Sequence, residues 1–93
     1  PLLPEAKDMA AMGVLPAGAY MNRDYVKCSV MAEDYIEESL LDIMYDPQTS
    51  GGLLIAVNPK DAPQLLQRLQ DELPISEIIG VVEEKKEKYI HIV

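Results

Sequence analysis

Tyr45-Asp46-Pro47-Gln48-Thr49-Ser50-Gly51-Gly52-Leu53-Leu54-Ile55-Ala56-Val57 joins a polar loop, ended by two glycines, to an unbroken apolar run. Pro47 fixes its own φ and removes one backbone donor, Thr49 and Ser50 offer hydroxyls, and Gly51-Gly52 permit close backbone approach closed to residues with a Cβ. A loop of this composition can present amides to an anion. The same residues also suit a tight turn that merely feeds a buried strand. Local chemistry leaves both readings open. Residues 53–57, bounded by Gly52 and by Asn58-Pro59, read as a continuous apolar strand.

Working outward, Pro4 suits the first turn of a helix through Glu5-Ala6-Lys7-Asp8-Met9-Ala10-Ala11-Met12, with Gly13 at its C-terminal cap. Pro16 and Gly18 then call for a loop. Val26, Cys28 and Val30 alternate with polar residues as a short strand does. Over residues 33–44, Tyr35, Ile36, Leu40, Leu41 and Ile43 predict an amphipathic helix that stops before Asp46-Pro47, its acidic residues forming a solvated face. After residues 53–57 a further helix follows. Asn58 can cap it, but Pro63 then interrupts an early backbone bond, so Lys60 or Asp61 is the better cap. Leu65, Leu66, Leu69 and Leu73 supply its buried stripe, and Pro74 closes it. Ile78, Ile79, Val81 and Val82 predict a second strand and residues 89–93 a third, joined as a hairpin by the mixed-sign turn over residues 83–88.

The 93 residues are 48% hydrophobic and 26% charged, with neither Phe nor Trp, so the core is left to Leu, Ile, Val, Met and Ala. A chain this short buries a modest fraction of its surface and has a thin stability margin. The net charge of −8 opposes non-specific nucleic-acid binding, which needs a basic footprint. No apolar run approaches the ~20 residues that span a bilayer, and the start has no basic region leading into a signal-like core, so the expectation is a soluble, cytoplasmic chain with no membrane partner. Cys28 is the only cysteine, which excludes an internal disulfide and a cysteine-pair metal site; packing is its expected role. His91 falls on the last alternating strand with no second ligand or nucleophile near it in sequence, and reads as a surface or edge-strand histidine.

Asp46-Pro47-Gln48-Thr49-Ser50-Gly51-Gly52-Leu53-Leu54 closely resembles the signature in the C-terminal domain of the selenide, water dikinases (selenophosphate synthetases), members of the aminoimidazole-ribotide-synthetase-like ATP-binding superfamily. Gly13-Val14-Leu15-Pro16-Ala17-Gly18-Ala19-Tyr20-Met21-Asn22-Arg23 resembles that family's Gly-x-x-Pro-x-Gly segment followed by an Asn, and Ile79-Gly80-Val81-Val82 its late Ile-Gly-x-Val strand. Other branches of the superfamily carry different sequences where this chain has Thr49-Ser50-Gly51-Gly52. The resemblance implies an α+β fold: a mixed α/β C-terminal lobe fragment with a small sheet flanked by helices, residues 1–93 forming a single partial domain. The chain begins Pro1-Leu2-Leu3-Pro4 and is far shorter than a two-domain enzyme, so a C-terminal piece is expected.

In the family, ATP, selenide and water yield selenophosphate, AMP and phosphate, with Mg2+ managing the nucleotide's charge. The reactive Cys or selenocysteine, a nearby Lys and most metal-binding Asp residues belong to an N-terminal ATP-binding domain, which the resemblance makes the expected partner. None of those motifs occurs in these 93 residues, so no catalytic or metal-binding residue is expected here and the segment alone is expected to be inactive. The resemblance points instead to Thr49, Ser50, Gly51 and Gly52, with Asn22 as a second loop candidate, as a polar lining of the substrate cleft. Asn22 can orient a substrate or the neighbouring loop, and all five residues also admit a structural role. Asp46 is equally an acidic contributor or a turn cap. A homo-oligomer, with a dimer leading, is expected because a partial lobe uncovers apolar surface or a strand edge. The alternative is a non-catalytic binding, regulatory or oligomerisation module derived from the enzyme.

Overall fold

The computed structural model describes all 93 residues, Pro1–Val93. The chain divides into two compact units: Leu2–Ser50 with Lys85–Val93, and Gly51–Glu84 with Pro1. The first holds helices α1 (Ala6–Ala11), α2 (Ala17–Val26) and α3 (Glu38–Met44) with strands β1 (Val30–Ala32) and β2 (Ile90–Ile92). The second holds helix α4 (Ala62–Glu72). The structure is therefore α+β, with a small sheet accompanied by helices.

Helix α1 ends as its sequence dictates. Gly13 takes φ +76°, its N–H reaches the Ala10 carbonyl at 2.8 Å and the Val14 N–H reaches that of Met9 at 2.9 Å. This pair of bonds satisfies carbonyls the helix leaves unpaired, and it needs a left-handed residue at the position Gly13 holds. Its start differs from expectation, because Glu5 is not helical but stands before the helix at φ 67°.

Helix α2 corrects the loop expected at Pro16 and Gly18. Pro16 sits at the N-cap with φ −68° and ψ 147°, and its carbonyl accepts from the Ala19 N–H at 2.9 Å. A proline there opens a helix because no N–H is required of it and its φ is preset. Val26 closes this helix, so the expected strand moves downstream to Val30–Ala32. Helix α3 begins later than residue 33, since residues 33–36 form a turn closed by the Ile36 N–H on the Glu33 carbonyl at 3.0 Å. Ala10 of α1 and Ala19 of α2 are the buried apolar residues, at 6% and 3% exposure. Helices that meet through alanine approach closely but bury little area.

The sheet corrects the expected hairpin. β2 pairs with β1 and runs parallel to it, with Val30 opposite Ile90, Met31 opposite His91 and Ala32 opposite Ile92. The Tyr89 and Ile90 N–H groups both donate to the Ser29 carbonyl, and the Glu33 N–H donates to that of Ile92. A parallel pair cannot be closed by a tight turn, so its partners must lie far apart in sequence. Cys28 is exposed rather than packed, and its carbonyl accepts from Lys88 Nζ at 2.9 Å.

Residues 53–57 and 78–82 form no ladder in this structure, which corrects two further expected strands. Leu53 and Leu54 are 90% and 83% exposed, Val81 and Val82 82% and 88%. β-propensity measures how well a side chain fits a pleated, half-buried surface, and without neighbours it does not build a strand. α4 follows the sequence more closely: Asp61 is the N-cap residue, Pro63 lies in the first turn where its missing N–H is harmless, and Leu65, Leu66 and Leu69 are half-covered. Leu73, expected in the same stripe, is exposed at the C-cap. Asn58 instead accepts the Lys60 N–H on its side-chain oxygen at 3.0 Å, an Asx turn one step ahead of the helix.

Gly13→Ala should cost about 1 kcal/mol, because a Cβ at this left-handed φ is strained while nothing lies within 4 Å for it to touch. Gly13→Asn should cost less, since Asn tolerates that conformation. Denaturant melts of the two variants check the order.

Candidate functional site

Thr49 and Ser50 close the unit Leu2–Ser50, and Gly51 and Gly52 open the unit Gly51–Glu84. All four are exposed. The turn that delivers Thr49 is built from the C-terminal end of α3: the Tyr45 N–H donates to Asp42 at 3.2 Å, Asp46 to Ile43 at 3.1 Å, and Gln48 to Asp46 at 2.9 Å. These bonds reverse the chain just before the hydroxyl-bearing residues. The hydroxyls are left facing solvent, where they can donate to an anion or accept from a partner.

Asn22 is not on a loop. It lies on α2, and its side-chain amide donates to the Tyr45 carbonyl at 2.9 Å. Of the two roles the sequence left open for it, this contact is with the neighbouring loop. One helical turn earlier on the same face is Gly18, where a Cβ would stand 2.7 Å from Pro47 Cγ. In the sequence, Gly18 reads as a loop former and as part of the Gly-x-x-Pro-x-Gly resemblance, not as a helical contact residue. The available signal was its spacing of four residues from Asn22, which places both on one side of a helix once the segment is known to be helical.

Arg23 fastens α2 to α3. Its guanidinium donates to Glu38 Oε1 at 3.2 Å and to Asp42 Oδ1 at 3.0 Å. The hydrogen bond to Glu38 holds the guanidinium pKa further above its usual value, partial desolvation works against this, and the charge of Asp42 adds to it. A raised cation pKa contributes stability that is lost only as pH climbs through the folded value, so this group adds no pH dependence near neutrality. Lys7 and Glu37 pair at 2.9 Å with both side chains largely exposed, an interaction worth little. Ala10, Leu15, Tyr20, Glu37, Glu38 and Asp42 line part of a shallow open depression, which includes none of the candidate residues at 49–52. His91 sits in β2 with its Nε2 buried and unpartnered.

No group of three or more His, Cys, Asp or Glu side chains converges so as to hold a metal ion. No helix is long and apolar enough to cross a membrane.

Helices accompanied by a two-stranded parallel sheet, with an exposed Thr-Ser-Gly-Gly stretch following the turn at Tyr45–Pro47 that α2 contacts, define an α+β segment whose candidate site is borne on a loop. The sequence is 42% identical over 90 residues to the selenide, water dikinase of Clostridium botulinum (strain Alaska E43 / Type E3), a match that covers 97% of this chain and 26% of the relative. It is 46% identical over 91 residues to that of Clostridioides difficile (strain 630), again covering 97% and 26%. Against the selenide, water dikinase of Caldanaerobacter subterraneus the identity is 42% over 93 residues, covering 99% of the chain and 27% of the relative. No family model matches the chain, and no solved structure matches it. The chain is thus similar, along almost its whole length, to one part of the selenide, water dikinases of these organisms. It spans about a quarter of the length of the curated relatives it matches.

Arg23→Ala should destabilise the α2–α3 pair by about 1 kcal/mol, the range of a partly exposed ion pair. Double-mutant cycles should show the stronger coupling with Asp42, whose side chain is only 15% exposed, and the weaker with Glu38 at 73%. Equal couplings would contradict this division.

Proposed function

We propose that this chain is part of an ATP-dependent selenide, water dikinase that makes selenophosphate from selenide, ATP and water, releasing AMP and phosphate. The observation that carries the reading is identity of 42% along 97% of the chain to a protein of that name. In this reading residues 1–93 are one partial domain, and the remainder of the protein supplies the nucleotide-binding domain, the nucleophile and the Mg2+ sites. The protein works in the cytoplasm.

The role of Thr49, Ser50, Gly51 and Gly52 is to line the substrate cleft. Phosphoryl transfer depends on positioning and on stabilising charge as it develops, and hydroxyl and amide donors serve both. Neutral donors also suit a chain of net charge −8, which carries no general attraction for a polyanion. Gly52 has nothing within 4 Å of where a Cβ would stand, so Gly52→Val introduces no clash inside the chain. The expected outcome in the full-length protein is near-normal melting with loss of selenophosphate formation for Gly51→Val and Gly52→Val, and a milder loss for Ser50→Ala. The segment alone should form neither AMP nor selenophosphate from ATP and selenide under anaerobic conditions. Normal turnover by both folded glycine variants would remove the loop from the cleft, and turnover by the segment would overturn its dependence on the rest.

The intact protein is a homo-oligomer, with a dimer as the leading state. In it the missing three quarters supply the neighbours that residues 53–57 and 78–82 lack here. Exposed Leu53, Leu54, Val81 and Val82 support this reading, since unpaired apolar chain is a template for association. The isolated segment should accordingly self-associate. Sedimentation over a wide concentration range checks it, and a monodisperse monomer throughout counts against it.

A further inference from the structure

We propose that Gly18 and Asn22 are positioning residues that set the Thr49–Gly52 loop by clamping the turn ahead of it, a proposal that rests on reading this loop as cleft lining. The two residues are one turn apart on α2 and meet the same target. Asn22 Nδ2 holds the Tyr45 carbonyl at 2.9 Å, and Gly18 lets the Pro47 ring lie where a Cβ would be 2.7 Å from its Cγ and 3.3 Å from its Cβ. Carbon atoms settle at roughly 3.5–4.0 Å, so a methyl group at Gly18 displaces something. Pro47 cannot yield by rotating a side chain, because its ring is closed onto the backbone. The displacement therefore passes into the backbone at Pro47, two residues before Thr49. Between the two contacts, the Asp46 N–H is held by the Ile43 carbonyl at 3.1 Å, and the Gln48 N–H folds back on Asp46 at 2.9 Å. The turn thus has little slack to absorb a shift.

Helix propensity acts in the opposite direction, which makes the sign of the effect informative. Within a helix, alanine is favoured over glycine. If Gly18 served only the helix, Gly18→Ala would stabilise the protein. If it makes room for Pro47, the same change destabilises the protein and loosens the turn, and Pro47→Ala, which removes the Cγ at 2.7 Å but keeps the Cβ at 3.3 Å, relieves most of that cost.

The experiment uses the full-length protein that carries this segment, with Gly18→Ala, Pro47→Ala, the double variant and Asn22→Asp. Hydrogen exchange followed by mass spectrometry reads residues 45–48, whose Tyr45, Asp46 and Gln48 amides are hydrogen-bonded, with Val30–Ala32 and Ile90–Ile92 as internal references, and calorimetry reads the melting temperature. Gly18→Ala and Asn22→Asp should each speed exchange of the bonded amides at 45–48 on the order of fivefold, the factor set by the net worth of one hydrogen bond, while leaving the reference strands unchanged. Gly18→Ala should lower the melting temperature with Pro47 present and lower it distinctly less in the Pro47→Ala background. Selenophosphate formation should fall in Gly18→Ala and recover in part when Pro47→Ala is added to it. A Gly18→Ala effect of equal size in both backgrounds, or unchanged exchange at 45–48 in Asn22→Asp, overturns the proposal. If the unmodified protein makes no selenophosphate, the functional reading fails, while the exchange and melting couplings still decide whether the clamp exists.

Discussion

The contact of α2 with the end of α3 organises the unit Leu2–Ser50. Gly18 meets Pro47, Asn22 holds the Tyr45 carbonyl, and Arg23 ties down Glu38 and Asp42. The apolar side chains buried in this unit are those of Ala10 and Ala19, which are too small to fix helix positions by bulk. Close backbone approach and directed polar bonds take over that task. Such contacts define geometry sharply but contribute modestly to net stability, because each replaces a bond to water. The turn before Thr49 is consequently well placed by a structure that is only weakly buried.

The opposite situation holds along residues 53–57 and 78–82. Their side chains have the composition of strands and the exposure of unfolded chain. Extended backbone must also pair its N–H and C=O groups, and a lone segment leaves that to solvent. The relatives that match the chain are about four times its length. The exposure of Leu53, Leu54, Val81 and Val82 goes with the absence of a sheet neighbour for either segment in this structure.

Charge follows the same division of labour. The segment is strongly acidic, and Arg23 is engaged with two carboxylates inside its own unit. What it offers at residues 49–52 is hydroxyl and amide donors on exposed backbone. Those groups select geometry and hydrogen-bond pattern, whereas general attraction of a polyanion needs cations or metal.

Local chemistry was legible from the sequence where a single residue's covalent properties decided the outcome. Gly13 was readable as a helix end because left-handed φ belongs to glycine, Pro63 and Pro74 bounded α4 because proline lacks an N–H, and the string at 46–54 identified the family. Pairing was not legible. The choice of β2 as a parallel partner for β1, instead of a hairpin with residues 78–82, depends on which segments arrive side by side across some sixty residues. The helical state of Gly18 and Asn22, and their shared contact with Tyr45 and Pro47, were likewise hidden, since Pro16 opens a helix as readily as it opens a loop. Propensity and periodicity act over a few residues, while registers, clamps and burial are set by neighbours the local sequence does not name, and these only the tertiary structure decided.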